Sequence, residues 1–173
     1  MTLAVLPRGA AVRPYDPRRD REALVACVAA LQDFERALEP SLPPGSQIAR
    51  RYVEAMLQRC AAYRGRVFVA ELDGRVGGFV CVLARVPETA PDACTRPHAA
   101  VRELYVDDSL RGCGLGRALL EEAERHAREH DAERLRVQVL AANEPARRLY
   151  EDFGFRDRLV ELEKPLGSRR GDD

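Results

Sequence analysis

The chain of 173 residues is 46% hydrophobic and 32% charged, which suits one soluble domain able to bury a core. Its 28 Lys plus Arg balance 28 Asp plus Glu, so neither a nucleic-acid partner nor an anionic membrane surface is implied. No long apolar run and no leader-like amino terminus stands out, making a cytoplasmic location the default; the cysteines at 27, 60, 81, 94 and 113 form no CxxC pair, which argues against a disulfide frame or a metal knuckle.

Residues 10–13 read as a first edge strand ending at Pro14. A helix is expected from Pro17, with its apolar stripe through Leu24, Cys27, Val28, Leu31, Phe34 and Leu38, and Pro40 stops it. A short rigid connection through Pro43, Pro44 and Gly45 leads to a second amphipathic helix, with Ile48, Tyr52, Ala55, Met56, Arg59 and Tyr63 near one side. Residues 67–72 and 75–83 are strands joined by Asp73-Gly74, which favours an antiparallel hairpin. Gly77 and Gly78 point to a bulge or a close backbone approach. Residues 87–97 lack periodicity and exceed the common connection length, reading either as a cover over a pocket or as a surface excursion.

The next stretch, residues 101–130, passes from period-two alternation through an acidic turn into Arg111-Gly112-Cys113-Gly114-Leu115-Gly116, then a helix with Leu115, Ala118, Leu119, Ala123 and Ala127 on one side. Strand, glycine-rich loop and helix start together make a cradle for phosphate oxygens, because the first turn leaves N–H groups without intrahelical partners. Arg111 adds a positive charge at its mouth. A Walker loop is excluded, since Arg117 and Ala118 follow Gly116, and the spacing does not suit a dinucleotide fingerprint. His126 and His130, four apart, read as an ordinary helix-surface pair rather than metal ligands. Cys113 needs only its backbone N–H in such a loop.

Residues 134–140 form another expected strand. Asn143 caps a short helix, Pro145 sits in its first turn and Gly154 suits the left-handed exit. A last strand is expected at 158–163, limited by Pro165, and 167–173 read as a disordered tail behind a single domain spanning 1–166.

Two blocks carry a resemblance. Arg111, Gly114 and Gly116 match the Gln/Arg-x-x-Gly-x-Gly/Ala acyl-CoA loop, and the run from Asn143 to Phe155 matches N-x-x-A-x-x-L-Y-x-x-x-G-F, so the chain resembles the GNAT N-acetyltransferases. The resemblance implies an α/β fold: a mixed, mostly antiparallel central sheet with flanking helices and a splay between the fourth and fifth strands. It implies acetyl-CoA as cosubstrate, held by Leu104, Tyr105, Val106, Arg111, Gly112, Cys113, Gly114, Leu115, Gly116, Arg117 and Asn143. Tyr150 is then the general acid toward the thioester sulfur. Glu103, which by alternation shares a face with Val101 and Tyr105, is a candidate base or substrate-orienting group. In the variable acceptor helices, Asp33, Glu35 and Glu39 are candidates for amine recognition, or simply solvated charge. The expected reaction is direct acetyl transfer to a primary amine in a ternary complex, with a small molecule the leading acceptor. A protein or peptide acceptor, and a noncatalytic acyl-CoA-binding module, are the alternatives. A homodimer through residues 158–163 is also expected.

Overall fold

The computed structural model describes residues 6–88 and 97–164. In chain order these hold β1 (Ala10–Pro14), α1 (Arg21–Leu38), α2 (Gly45–Ala62), β2 (Arg66–Leu72), β3 (Arg75–Val86), β4 (His98–Val106), a 3-10 turn (Asp108–Leu110), α3 (Leu115–Glu129), β5 (Leu135–Val137) and α4 (Glu144–Phe153). The strands form one sheet in the order β1-β2-β3-β4-β5, antiparallel as far as β4 and parallel between β4 and β5. Strand alternation sends Val67, Val69, Phe79, Cys81 and Leu83 into one core with α1 and α2. It sends Phe68, Ala70, Val80 and Val82 into a second core with α3 and Tyr150 of α4. The result is a three-layer mixed α/β domain, as the motifs imply.

Local chemistry explains the joints. Asp73 (φ 49°) and Gly74 (φ 79°) both take positive φ in the β2–β3 turn, as a two-residue hairpin requires. The register between these strands shifts so that Ala70 faces Gly78 and Glu71 faces Val76, leaving Gly77 as the extra residue. A Cβ on Gly77 would stand 2.4 Å from Leu110 Cδ1, so the missing side chain admits the turn that follows β4. Among the described residues no helix is long and apolar enough to cross a membrane.

Several expectations need correction. The buried stripe of α2 is Gly45, Ala49, Val53, Met56 and Cys60, one position away from the expected face; small residues let the helix approach the sheet, while Tyr52 and Arg59 turn toward β4. Val101 does not share a face with Glu103. The β3–β4 register moves from Cys81↔Glu103 to Val82↔Val101, so Arg102 is a bulge that reverses the alternation. His126 is buried at 3% exposure, with its Nε2 2.9 Å from the Arg64 carbonyl; it ties α3 to the α2–β2 turn and is no surface residue. No strand forms at 158–163: Leu159, Val160 and Leu162 are 79%, 71% and 89% exposed, and β5 ends at Val137 without reaching a length that could recruit them. Most of the 87–97 excursion and all of the 167–173 tail lie outside the described residues.

An ion-pair cluster fixes the start of α1 against the β1–β2 edge. Asp20, its side chain 2% exposed, accepts from Arg13 Nη1 at 2.6 Å, Arg13 Nη2 at 2.9 Å and the Asp16 N–H at 2.8 Å. The Arg13 guanidinium holds the Asp20 carboxyl below the usual carboxylate range. Its stabilisation is therefore present above the unfolded value of about 4 and lost as pH falls through the lower folded value. Asp20→Asn should cost about 3 kcal/mol at neutral pH and flatten the acid limb below about pH 4. Urea unfolding across that range checks this; parallel limbs for both proteins would place the acid sensitivity elsewhere.

Candidate active site

β4 and β5 pair at only three positions, Ala99↔Leu135, Ala100↔Arg136 and Val101↔Val137. β4 continues to Val106 while β5 stops at Val137, so the strands part and the backbone edge of residues 104–106 faces an open gap. That is the expected splay. The turn after β4 is built by Asp107, whose carboxylate accepts from the Ser109 N–H at 3.0 Å. Gly112 and Gly114 then take φ of 77° and 85°, the left-handed region that any Cβ disfavours. The first bond of α3 runs from the Ala118 N–H to the Gly114 carbonyl at 3.0 Å, so the N–H groups of residues 115–117 lack intrahelical acceptors and define an anion cradle.

The side chains around that cradle are already employed. Arg111 donates through Nε to the Val106 carbonyl at 3.0 Å, pairs with Asp108 at 2.7 Å and lies 5.4 Å from the centre of the Phe34 ring on α1. Cys113 Sγ donates to the Leu110 carbonyl at 2.7 Å, consistent with a loop position that serves through its backbone. Arg117 pairs with Glu121 at 3.2 Å and stacks 5.5 Å from the Phe153 ring centre. Leu115 is buried at 1% exposure and anchors the loop in the second core. A Cβ on Gly116 would meet Leu149 Cδ2 at 3.2 Å, so this glycine allows α3 and α4 to approach.

Asn143 caps α4, its Oδ1 accepting from the Ala146 N–H at 3.2 Å; its amide NH2 is the part left to donate to a ligand. Gly154, with φ of 110°, closes the helix. Between these caps Tyr150 is buried at 8% exposure in the second core, together with Leu104, Val106, Leu135 and Val137 that border the gap. Its ring packs edge-on to Phe155 with centres 5.6 Å apart. Burial, and then the charge of Glu35, push its phenol up to about 12, so it is protonated throughout the neutral range.

Glu103 occupies the opposite face. Its side chain is 5% exposed, Tyr52 donates a short hydrogen bond to Oε1, and Arg59 Nη2 reaches the same oxygen at 3.3 Å. Oε2 is buried with no hydrogen-bond partner among the described residues. Tyr52 and Arg59 were not legible as site residues; the only signal was a tyrosine and an arginine seven apart on one helical side. Burial, and then Glu103, push the Tyr52 phenol up to about 12. Beneath them the Cys60 and Cys81 sulfurs stand 3.6 Å apart.

The acids of α1 divide. Asp33 Oδ1 accepts from the Gly45 N–H at 2.7 Å, which commits it to the start of α2. Glu39 is held by Ser41 at 2.6 Å. Glu35 is half-buried, and burial followed by the charge of Glu103 raises its carboxyl above the usual range. The Glu35 charge is also the second cause, after burial, of the raised Tyr150 phenol. Tyr105 lies on the α1 and α2 face with Glu103, whereas Leu104 and Val106 belong to the α3 face. Among the described residues no group of three His, Cys, Asp or Glu is placed to hold a metal ion.

A splayed sheet whose gap opens beside a glycine-built anion cradle defines an acyl-CoA-binding architecture, and the comparisons agree. Residues 25–155 match the model of the acetyltransferase (GNAT) family. The chain belongs to that family, whose members use acetyl-CoA as the acetyl donor. It is 32% identical over 154 residues to a mycothiol acetyltransferase of Thermobispora bispora, covering 87% of this chain and 48% of the relative. A mycothiol acetyltransferase of Frankia alni is 34% identical over 153 residues, covering 87% and 44%. The chain therefore spans about half the length of these curated relatives. Its fold is similar to that of PH1933 from Pyrococcus horikoshii OT3, with a TM-score of 0.71 at 21% identity over 88% of this chain and 92% of the other.

Proposed function

We propose that the protein transfers an acetyl group from acetyl-CoA to a primary amine of a small molecule, by direct attack while both substrates are bound. The observation that carries this reading is the pairing of two buried groups across one gap, with Glu103 on the acceptor-helix face and Tyr150 on the α3–α4 face. Acetyl-CoA supplies an electrophilic thioester. The N–H groups of residues 115–117, with Arg111 released from Asp108, hold its pyrophosphate, and the Asn143 amide and the 104–106 edge hold the arm that leads into the gap.

Once the amine nitrogen is placed against the thioester carbon, most of the catalytic work is orientation and charge. A backbone N–H of residues 104–106 donates to the developing oxyanion. As the new C–N bond forms and the C–S bond breaks, Tyr150 gives its phenolic proton to the departing sulfur and Glu103 Oε2 takes the proton shed by nitrogen, directly or through water. A phenol held protonated by burial suits the first task, and a carboxylate oxygen free of donors suits the second. The mycothiol acetyltransferases at 32% and 34% identity favour a small-molecule acceptor over a protein amino terminus.

The test is CoA release from purified protein with acetyl-CoA and a panel of amino acids, amino sugars, polyamines and short peptides. Turnover with at least one small amine, and a drop of about a hundredfold or more in kcat/KM for Glu103→Gln, are expected. Turnover with peptides alone would reassign the acceptor, and acetyl-CoA binding without turnover of any amine would point to a binding module.

A further inference from the structure

We propose that Tyr52 is a positioning residue for the reaction: by holding Glu103 Oε1 it keeps the Arg59 guanidinium from closing on both carboxylate oxygens, and so leaves Oε2 open to take the proton of the acceptor amine. This rests on the acetyl-transfer reading and assigns how its base is kept available.

The starting point is an ion pair that is only half made. Arginine presents Nε and Nη2 along one edge of a rigid plane, and against a carboxylate that edge commonly makes two parallel hydrogen bonds, one to each oxygen. Here Arg59 Nη2 reaches Glu103 Oε1 at 3.3 Å. The other two atoms of the fork, Arg59 Nε and Glu103 Oε2, are both buried, and neither has a hydrogen-bond partner among the described residues. A buried donor and a buried acceptor, unpaired on two groups that already touch, each carry a desolvation cost that one further bond between them would remove. Something prevents that bond.

Tyr52 is the group in the way. Its hydroxyl donates a short hydrogen bond to the same Oε1 that Arg59 uses. The two residues stand two turns apart on one side of α2, and the guanidinium carbon lies 5.2 Å from the Tyr52 ring centre. Arg59 thus meets the carboxylate alongside the tyrosine, and while the hydroxyl fixes Oε1 the guanidinium does not square up with both oxygens. Cys81, opposite Glu103 on β3, is engaged with Cys60, their sulfurs 3.6 Å apart, so Oε2 stays unpaired on that side as well. A carboxylate clasped by a cation at both oxygens is held in its charged form and takes a proton less readily. Held at one oxygen, it keeps the other as a base.

The experiment is a double-mutant cycle on kcat, read by CoA release with an amine that the unaltered protein uses. Tyr52→Phe removes one hydroxyl and lets the fork close, so kcat should fall by at least about tenfold with acetyl-CoA affinity, measured by calorimetry, unchanged. Arg59→Gln in that background removes the fork and should restore kcat severalfold, a gain that lost packing does not produce. Arg59→Lys, which keeps the charge but has no fork, should restore it too and serves where the glutamine variant fails to fold. A crystal structure of Tyr52→Phe should show Nε and Nη2 on separate oxygens of Glu103. An unchanged kcat for Tyr52→Phe, or Arg59 substitutions that deepen its loss, would overturn the proposal. If the fork closes in that crystal and no form of the protein turns over an amine, the restraint on Arg59 stands and the transfer reading fails; if amines are turned over and the fork is still half made, the transfer reading stands and the restraint fails.

Discussion

Tyr150→Phe should lower kcat by about a hundredfold or more while leaving the affinity for acetyl-CoA within a factor of about two, since the change removes one hydroxyl and no packing surface. The expectation comes from where the phenol lies. It is buried at 8% exposure beside the residues that border the gap, and its acidity is suppressed so that the proton is always present at neutral pH. A departing thiolate needs a proton as the C–S bond breaks, and a protonated phenol is the group on the α4 side able to give it. The defect should be uniform from about pH 6 to pH 9, because a phenol titrating near 12 does not change state in that window. An unchanged kcat across that range would remove Tyr150 from the chemistry and leave it as a core aromatic.

Gly114→Val should abolish measurable acetyl-CoA binding, a larger loss than that caused by Arg111→Ala. Gly114 has φ of 85° at the N-cap of α3, where a β-branched residue is an outlier and the cradle must distort to accept it. Arg111, by contrast, spends its guanidinium on the Val106 carbonyl, Asp108 and Phe34, so binding pyrophosphate requires breaking contacts it already has. Its net contribution is the difference between the two sets. Arg111→Ala should weaken acetyl-CoA by about tenfold. Gly116→Val acts for a different reason: its Cβ would stand 3.2 Å from Leu149 Cδ2, so the Leu149 side chain between α3 and α4 must give way to admit it. Calorimetry on variants shown to be folded by circular dichroism gives the order. A greater loss for Arg111→Ala than for Gly114→Val would mean that side-chain charge, not backbone, holds the donor.

What could be read from the sequence was local chemistry. Asp73-Gly74 specified its own hairpin, Asn143 and Gly154 bracketed α4, and the glycines at 112 and 114 marked backbone that no other residue adopts comfortably. Long-range geometry was not legible. The bulge at Arg102 depends on how β3 and β4 settle against each other, and it reversed the side assigned to Val101. The one-position rotation of α2 follows from how closely Ala49, Val53 and Cys60 pack on the sheet, and it is what turns Tyr52 and Arg59 onto Glu103. Asp33 and Glu35 looked equivalent as acids on one helix; only the position of Gly45 against α1 shows that Asp33 is committed to the start of α2. The apolar residues 159, 160 and 162 read as a strand, but strand formation needs a neighbouring edge, and β5 is three residues long.

The most direct measurement is backbone hydrogen exchange of the purified protein with and without acetyl-CoA, which places the donor without needing to know the acceptor. Slower exchange at residues 112–117 and along the open edges at 104–106 and 138–143 is the predicted result, with the α1–α2 surface little changed until an amine is added. Protection confined to α1 and α2, with the glycine loop and the gap exchanging as before, would contradict the placement of the thioester between β4 and β5.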